Sequence, residues 1–542
     1  MRTKSRIEFP GTPAPPMAWN AWGDPRERTP LSERTRSVLE AVLGIPTHEQ
    51  PTTGDDAVRL HRSRLTDRRR HGLETIVGTE HLSTDDEVRT QFLGGKSTLD
   101  LLARRSGSIQ NAPDAVAFPA DAEEVEALLR YCSEESIAVV PFGGGTSVVG
   151  GVEPLREWFD TVVTISMRRL CAMTDLDEVS RTATLQAGVT GPQAEEMLTR
   201  HGLSLGHYPQ SFEYASIGGF AATRSSGQAS SGYGRFDDMV ESVTVATPIG
   251  ITHCGRAPAS AAGPDLREVF LGSEGALGII TSVTVKVHPI PASTEHRSWW
   301  FPTFAAGSAA FRELAVDAGR PTVMRLSDEA ETGVNSALAL GDNGDAPTGG
   351  CIAVATFDGV PAETAARAAA ADATVLRAGG TVVDPEHARR WEHGRFDSPY
   401  LRDALLDAGA VAETLETATS WADLDRVRGE VVAALVDSLT ASGTPPLVMC
   451  HISHVYATGA SLYFTVVCAA AGDPAAQWTR AKEAATTAMA TAGATITHHH
   501  AVGRDHRPWM AEEVGSVGVA MLRAMKSAVD PAGVLNPGKL IP

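Results

Sequence analysis

One glycine-rich stretch, residues 140–151, constrains this chain more than any other feature of its sequence. It reads VPFGGGTSVVGG and follows the apolar run 137–140, which is typical of a short buried strand. Three consecutive glycines let the backbone approach a ligand closely and adopt positive φ angles without steric cost. Successive N–H groups in such a turn suit a phosphate or pyrophosphate, and Thr146 and Ser147 add hydroxyl donors.

Two familiar phosphate-binding motifs do not match this turn. The GxGxxG fingerprint opens a helix after a strand, whereas Gly143, Gly144 and Gly145 are consecutive and VVGG follows. The sequence also has no GxxxxGK[ST] loop. On this stretch alone, a plain glycine turn between two strands is an equally good interpretation.

The bulk composition argues against some classes of function. The chain has 542 residues, enough for two or three domains, and a net charge of -19, which disfavours binding to nucleic acid. Its six cysteines form no CxxC pair, so we expect reduced thiols rather than a zinc site or a disulfide framework. Because we see neither a membrane-spanning apolar run nor a leader-like N-terminus, we expect a cytoplasmic location.

Changes in pattern divide the chain into four parts. Residues 1–107 form a mostly helical N-terminal region, and residues 108–291 alternate strands with helices. Residues 292–452, where alanine-rich helices separate strand-like runs, indicate a second, α+β domain. Residues 453–542 add a strand and further helices. Among the predicted elements, a strand over 279–290 is bounded by prolines.

Two more glycine clusters follow the first within the same α/β part. Residues 216–227 read SIGGFAATRSSG, and residues 272–278 read GSEGALG and lead directly into a predicted strand. Three turns rich in glycine and hydroxyl groups are too many for routine connections. They indicate one extended polar ligand that is contacted along its length by backbone groups, and FAD has that length and polarity.

These motifs, together with QSFEY before the second cluster, YGRFDD after it, and THHHAVG and VDPAGVLNPGKL near the end, carry a resemblance. From about residue 95 to the C-terminus the chain resembles the vanillyl-alcohol oxidase type of FAD-binding flavoproteins, and within it the alkyldihydroxyacetonephosphate (alkylglycerone-phosphate) synthase family. The resemblance implies an α+β fold: an FAD-binding domain of the PCMH type, an α+β cap domain and a helical N-terminal region.

The resemblance also implies which residues contact FAD. Neither histidine nor cysteine occurs in GGGTSV, so we expect a dissociable, non-covalent cofactor. The matching positions are Pro141, Phe142, Gly143, Gly144, Gly145, Thr146 and Ser147; Gln210, Ser211, Phe212, Glu213, Tyr214, Ala215 and Ser216; Thr223, Arg224, Ser225 and Ser226; and Ser273, Glu274, Gly275, Ala276, Leu277, Gly278 and Ile279.

Three consecutive histidines, His498, His499 and His500, stand out in the C-terminal part. Imidazole is suited to proton transfer or to holding a phosphate near neutral pH. If the triplet lies on a strand, His498 and His500 share one face and His499 points away. A metal site and a solvated histidine run are alternatives; no acidic or thiolate partner lies at ligand spacing, so we expect no metal. In the family that the chain resembles, the matching triplet lines the active site.

Two further residues match functional positions of that family. Tyr463 matches its catalytic tyrosine, although on sequence alone a packed core tyrosine is the simpler interpretation. A tyrosine needs a neighbour, such as a histidine, to act as a base at neutral pH. Arg402 matches the substrate-binding arginine, whose guanidinium suits a phosphate; a solvated surface arginine near Asp403 and Asp407 is the alternative.

The implied reaction exchanges the acyl chain of acyl-dihydroxyacetone phosphate for a fatty alcohol through an adduct at flavin N5, giving an ether-lipid precursor without net redox change. The partners are then this phospholipid-precursor substrate and a fatty alcohol. We also expect a homodimer, and the apolar chain of the substrate leaves peripheral contact with a membrane open. The alternative on the same fold is an FAD-dependent oxidase or dehydrogenase of a 2-hydroxy acid or another alcohol.

Overall fold

A computed structural model describes residues 17–45, 59–316, 319–339 and 349–542. The first 16 residues of the predicted N-terminal region therefore lie outside the described residues. The part of that region that is described is mainly helical. Its helices are α1 (Glu33–Leu43), α2 (Asp67–Val77), α3 (Asp86–Thr90) and α4 (Thr98–Arg105).

A four-stranded sheet follows, and the first glycine turn leaves from one of its strands. The strand order is β1-β2-β4-β3, with β2, β4 and β3 parallel and β1 antiparallel to β2. Because parallel strands need a crossover, helix α5 connects β2 to β3 and covers the sheet. The elements are β1 (Leu82–Ser83), β2 (Ala115–Ala117), α5 (Ala122–Glu134), β3 (Ala138–Phe142) and β4 (Val162–Ser166).

A second, antiparallel sheet carries the other two glycine clusters on its connections. Its strand order is β5-β6-β10-β8-β9. The strand predicted over 279–290 ends earlier, and a separate short strand, β11, then pairs with β7. The elements are β5 (Met173–Asp177), β6 (Thr182–Gln186), α6 (Gly191–Thr199), β7 (Leu203–Ser204), α7 (Ile217–Thr223), α8 (Ser230–Tyr233), α9 (Phe236–Met239), β8 (Val240–Thr247), β9 (Gly250–Cys254), α10 (Arg267–Phe270), β10 (Ile279–Lys286) and β11 (His288–Pro289).

The cap is a seven-stranded antiparallel sheet with the order β15-β12-β14-β13-β17-β18-β16. Its core is aromatic, with Trp299, Phe301, Phe311, Phe357 and Phe464 buried between the sheet and its helices. The elements are β12 (Ser293–Phe301), α11 (Phe304–Val316), β13 (Val323–Ser327), α12 (Glu329–Ala339), β14 (Cys351–Gly359), α13 (Pro361–Arg377), β15 (Thr381–Val383), α14 (Glu386–Gly394), α15 (Ser398–Asp407), β16 (Ala410–Ser420), α16 (Leu424–Ala441), β17 (Leu447–Val455), β18 (Gly459–Ala469), α17 (Pro474–Thr491) and α18 (Met510–Val529).

The cap sheet crosses the boundary that the sequence pattern placed at residue 452. Strand β17 runs through that position, and β18, from the C-terminal part, pairs with both β17 and β16. The C-terminal part is therefore continuous with the cap up to α17. In the described ranges, no helix combines the length and apolar character needed to cross a bilayer.

Candidate functional site

The three glycine clusters meet around one cleft of about 620 Å³. It lies where β3 ends, against the start of α7 and the turn that precedes β10. Ten of the residues predicted to contact FAD line it: Pro141, Phe142, Gly143, Ser147, Ser216, Thr223, Glu274, Gly275, Gly278 and Ile279. Motifs more than 130 residues apart in the sequence, from 141 to 279, thus form one wall.

The glycines of this cleft lie so close to neighbouring atoms that a side chain at these positions would clash with them. A Cβ atom on Gly143 would lie 2.2 Å from the Ser216 hydroxyl oxygen, and one on Gly144 would lie 2.0 Å from the Tyr214 carbonyl oxygen. Gly275 has a φ of +74° and would place a Cβ atom 2.2 Å from Pro141. Each cluster therefore packs closely against another segment of the cleft, and at Gly144 the contact is with backbone.

Several buried polar atoms in the predicted FAD-contacting segments have no partner in the described protein. They are Gln210 Nε2, Ser226 Oγ and Ser273 Oγ, and Asn536 Oδ1 joins them from the C-terminal tail. A buried polar group without a hydrogen bond costs about 1–3 kcal/mol, so such groups mark places where a polar ligand completes the structure. The set offers an amide donor and two hydroxyls together with one amide oxygen acceptor, and FAD carries both acceptor and donor groups.

Two predicted cofactor residues use their side chains to hold the protein together. The Arg224 guanidinium binds Asp237 at 2.9 Å and also pairs with Glu268. The Glu274 carboxylate accepts hydrogen bonds from the backbone N–H groups of Val502 and Gly503, at 2.9 and 2.7 Å. Burial raises the pKa of Glu274 to about 7 despite those donors. Glu274 thereby fixes the third glycine cluster to the loop after the histidine triplet.

A second cleft, of about 830 Å³, extends from the first towards the cap. The two share Thr223 and Glu274 as lining residues. On the cap side the second cleft is lined by Tyr456 and His498. A ligand in the first cleft can therefore reach the histidine triplet.

The histidine triplet lies on a bend rather than on a strand, so the expected alternation of faces is wrong. Its shape is set by Glu416, on β16. The Glu416 carboxylate accepts the backbone N–H groups of His498, His499 and His500, at 2.5, 3.1 and 2.9 Å. Three successive N–H groups turned towards one anion curl the chain. As a result, His499 and His500 both contact the Tyr463 ring, while His498 contacts Tyr456.

The environment keeps these histidines neutral and Glu416 charged. Burial lowers the pKa of His498 well below its ordinary value and that of His500 to about 3. Burial by itself would raise the pKa of Glu416, but its electrostatic coupling to the protonated forms of the three imidazoles and the hydrogen bond from the Thr497 hydroxyl hold that pKa well below 4.5. At neutral pH the chamber therefore holds one buried negative charge beside neutral imidazole rings.

Three residues outside the predicted catalytic and substrate-binding set complete this chamber. The Tyr456 hydroxyl lies 2.5 Å from His498 Nε2. Arg235 donates to the His498 carbonyl oxygen at 3.2 Å and binds Asp237. The His454 ring lies 4.9 Å from that of His498, and its Nε2 atom is buried without a partner. Arg235 belongs to the YGRFDD motif, but no local signal indicates the role of any of the three, because each acquires it through a contact distant in sequence.

Tyr463, on β18, lies against the triplet but does not share a proton with it. Its hydroxyl donates to Thr414 Oγ1 at 2.9 Å, and its ring stacks on His451 and His499, with centroids 4.9 and 5.9 Å apart. Burial raises the pKa of Tyr463 to about 12. At neutral pH Tyr463 is a protonated wall of the chamber.

Arg402, on α15, is held inside the protein, so the alternative of a solvated surface arginine is wrong. One of its nitrogens donates to the Lys96 carbonyl oxygen at 2.6 Å, and Asp403 lies 3.4 Å away. The Lys96 N–H in turn donates to the Ser147 carbonyl oxygen at 2.6 Å, next to the first glycine turn. Arg402 Nε is buried and keeps its hydrogen free for a ligand. No contact in the described ranges joins Arg402 to the triplet.

Three imidazoles also form the group that could hold a metal ion. Nitrogens of His454, His498 and His499 lie within 4.8 Å of one another. However, His498 Nδ1 and His499 Nδ1 are already 2.9 Å apart, as in a hydrogen bond, and the Glu416 carboxylate is occupied by backbone N–H groups. The arrangement is therefore better suited to carrying a proton than to binding a cation.

Comparison with known proteins identifies the chain. A family model described as an FAD binding domain matches residues 113–255, and another described as FAD linked oxidases, C-terminal domain, matches residues 290–540. The alkyldihydroxyacetonephosphate synthase of Dictyostelium discoideum is 30% identical, over 97% of this chain and 93% of its own length. The chain belongs to the alkyldihydroxyacetonephosphate synthase family. The protein is thus an FAD-dependent enzyme.

Solved structures agree with this membership. An alkyldihydroxyacetonephosphate synthase superposes with a TM-score of 0.83 and 28% identity, over 97% of this chain and 99% of the other. A 4-ethylphenol oxidase from Gulosibacter chungangensis superposes with a TM-score of 0.68 at 14% identity, over 89% of this chain and 98% of the other. The fold is therefore shared beyond the synthases, and the predicted α+β flavoprotein architecture is confirmed.

Proposed function

We propose that this protein exchanges the acyl chain of acyl-dihydroxyacetone phosphate for a fatty alcohol and so forms the ether-lipid precursor. The observation that carries the proposal is the chamber of buried, neutral histidines, continuous with the FAD cleft, in a chain of the synthase family. Such a chamber suits repeated proton transfer at a substrate carbon, which acyl-for-alkyl exchange requires twice.

The residues divide the work of this reaction by their chemistry. Arg402 binds the phosphate, since its buried Nε has no hydrogen-bond partner in the protein and a guanidinium suits a phosphate. His498, His499 and His500 hold and return the proton of the carbon that bears the ester. Tyr463 forms a wall of the chamber and keeps water away from it. Bound FAD supplies the electron-accepting ring beside which this carbon reacts.

Further parts of the proposal concern partners. The cap provides the channel for the two alkyl chains, and its mouth takes them from a membrane surface with which the protein makes peripheral contact. The working form is a homodimer. Sedimentation of the purified protein with and without phospholipid vesicles tests the membrane contact and the homodimer in one experiment.

The decisive experiment supplies the purified flavoprotein with acyl-dihydroxyacetone phosphate and a long-chain alcohol under anaerobic conditions. Mass spectrometry is expected to find ether product and free fatty acid in equal amounts. His500→Ala should abolish both products. His393→Ala, at an exposed histidine at the end of α14, is the matched control and should leave both unchanged.

The alternative function, oxidation of a 2-hydroxy acid or another alcohol, gives a different result with the same purified protein. If a 2-hydroxy acid bleaches the flavin and no ether forms from the lipid substrates, the protein is an oxidoreductase on this fold. That outcome would overturn the synthase proposal while leaving the FAD site as described.

A further inference from the structure

Tyr456 lies where a substrate proton would enter the histidine chamber. It follows β17 in a tight turn, with its N–H group donating to the Gly459 carbonyl oxygen at 2.9 Å. Its carbonyl oxygen accepts the Trp421 indole N–H at 3.1 Å, so the turn is held from both sides. The side chain lines the second cleft together with His498. Tyr456 is therefore both anchored and open to a ligand.

The hydroxyl of Tyr456 is the first group in a chain of hydrogen bonds that leads inwards to His499. It lies 2.5 Å from His498 Nε2, and His498 Nδ1 lies 2.9 Å from His499 Nδ1. If Tyr456 donates to Nε2, then neutral His498 carries its hydrogen on Nδ1 and donates it to His499. A proton that enters at Tyr456 can thus move inwards by two short steps.

Charged groups flank this chain on both sides. The Glu416 carboxylate is buried, and its oxygens lie 3.8 Å from His499 Nδ1 and 3.9 Å from His500 Nδ1. Burial lowers the pKa values of the triplet, and that carboxylate offsets part of the effect by stabilising an imidazolium. On the other side, burial raises the pKa of Tyr456 above its ordinary value, and the Arg235 guanidinium, which is itself paired with Asp237, offsets part of that rise.

Within the described residues, the Tyr463 hydroxyl has neither a hydrogen bond to an imidazole nitrogen nor a contact with Arg235. Its hydroxyl donates to Thr414, and its contact with His499 is a ring stack with centroids 5.9 Å apart. The two tyrosines therefore differ in whether the hydroxyl can pass a proton directly to an imidazole. Only Tyr456, of this pair, has its oxygen against an imidazole nitrogen.

We propose that Tyr456 is a catalytic residue that passes the substrate proton to the histidine triplet. The inference rests on the proposed function and deepens it. The C–H bond of the carbon that bears the ester breaks, and its electron pair stays on that carbon beside the ketone. Its proton goes to the Tyr456 oxygen while the Tyr456 O–H proton moves to His498 Nε2, so one imidazolium forms. No oxidant or reductant takes part, and the reverse transfer restores the neutral triplet.

The test is exchange of that hydrogen with solvent. Wild-type protein is incubated with acyl-dihydroxyacetone phosphate in D2O without alcohol, and deuterium in the substrate is followed by mass spectrometry. Tyr456→Phe should slow the exchange by about 10²- to 10⁴-fold, the usual size of a lost acid–base group. It should retain FAD and bind the substrate. Tyr131→Phe, a helix α5 tyrosine remote from the clefts, is the control for a lost hydroxyl and should exchange normally.

The remaining outcomes separate this inference from the function on which it rests. If Tyr456→Phe exchanges like the wild type while Tyr463→Phe does not, the inference is overturned and Tyr463 moves the proton. If the wild type neither exchanges nor makes ether, the proposed function itself fails.

A second measurement does not need turnover. In protein labelled with ¹⁵N-histidine, the Nε2 signal of His498 should change from hydrogen-bonded to free on Tyr456→Phe and remain unchanged on Tyr463→Phe. An unchanged His498 signal in Tyr456→Phe would show that the hydrogen bond of the proposal does not exist in solution.

Discussion

Glu416 carries a negative charge where water does not reach it, with 2% of its surface exposed. A buried charge is tolerated only when hydrogen bonds replace its hydration. Here three backbone N–H groups and the Thr497 hydroxyl, at 2.7 Å, provide that replacement. Glu416 is a positioning residue, since it shapes the triplet without lining either cleft.

The charge on Glu416 should make stability depend on pH. Its pKa in the folded protein lies well below the ordinary 4.5, so its contribution is present above pH 4.5 and is lost as the pH falls further. Glu416→Gln should therefore flatten the acid side of the stability profile and lower the free energy of unfolding at neutral pH by about 1–3 kcal/mol. Urea unfolding at several pH values measures both effects.

The matched control for that variant is Glu513→Gln. The partly exposed Glu513 binds Thr495 and the Ile496 N–H just before the triplet, at 2.7 and 3.0 Å, but none of the histidines. Glu513→Gln should therefore lose stability at low pH in the same way as the wild type. If the free energy of unfolding falls equally steeply with decreasing pH in Glu416→Gln and in the wild type, the assignment of a buried, ionised Glu416 is wrong.

At the residue scale, the sequence singles out the histidines and Arg402 by residue type, but it does not identify the groups that hold them. His498 lines the second cleft, and His499, His500 and Arg402 are largely buried. Glu416 and Tyr456 could not be predicted, because their partner His498 lies 82 and 42 residues away and no periodic pattern encodes such a contact.

Among the elements, the glycine turns combine positive φ angles, as at Gly145 and Gly275, with close packing, which alone requires the glycine at position 144. Gly144 faces the Tyr214 carbonyl oxygen, and its own φ is not positive. The glycine is needed there because the neighbouring backbone leaves no room for a side chain. The sequence analysis predicted that the backbone of these motifs approaches a ligand closely; the packing of the motifs against one another was not predicted.

Gly144→Ala should therefore reduce FAD binding and stability together. A Cβ atom 2.0 Å from a backbone oxygen forces the first two glycine clusters apart, and forced backbone shifts cost about 1–3 kcal/mol. The flavin-to-protein ratio after gel filtration and the melting temperature measure the two effects. Gly429→Ala, in α16 with open space around it, is the control and should be neutral or slightly stabilising.

Regular elements were easier to predict than irregular ones. Helix α17 begins at Pro474 after Asp473, as the sequence indicates, and the Asp473 carboxylate accepts two backbone N–H groups. The bend at the triplet was not predictable, because it depends on an anion supplied by another strand. The strand predicted to run through residue 290 is interrupted because β11 finds its own partner, β7.

Across the whole molecule, the C-terminal tail closes the FAD-binding domain. Leu535 forms a parallel bridge with Val139 of β3, and the Asn536 N–H donates to the Val139 carbonyl oxygen at 2.7 Å. The Asn536 amide also donates to the carbonyl oxygens of Gly151 and Glu274, at 3.0 and 2.7 Å. One side chain thus joins the first glycine turn to the third.

Asn536→Ala should weaken the cofactor site from the far end of the chain. Two buried carbonyl oxygens lose their donor, at about 1–3 kcal/mol each, and both belong to the glycine clusters. We expect a lower melting temperature and faster FAD dissociation, followed by flavin fluorescence. Asn335→Ala, at an exposed position of α12, is the comparison. Unchanged FAD dissociation in Asn536→Ala would contradict the role given to the tail.

The position of that tail has a consequence for how the protein is made. The ribosome delivers Val139 well before Asn536, so the first glycine turn emerges long before the residue that braces it. A nascent chain cannot complete this brace until Asn536 has been synthesised. Tight retention of the yellow cofactor is then a chemical mark that this residue is in place, and a product cut short before Asn536 would be colourless.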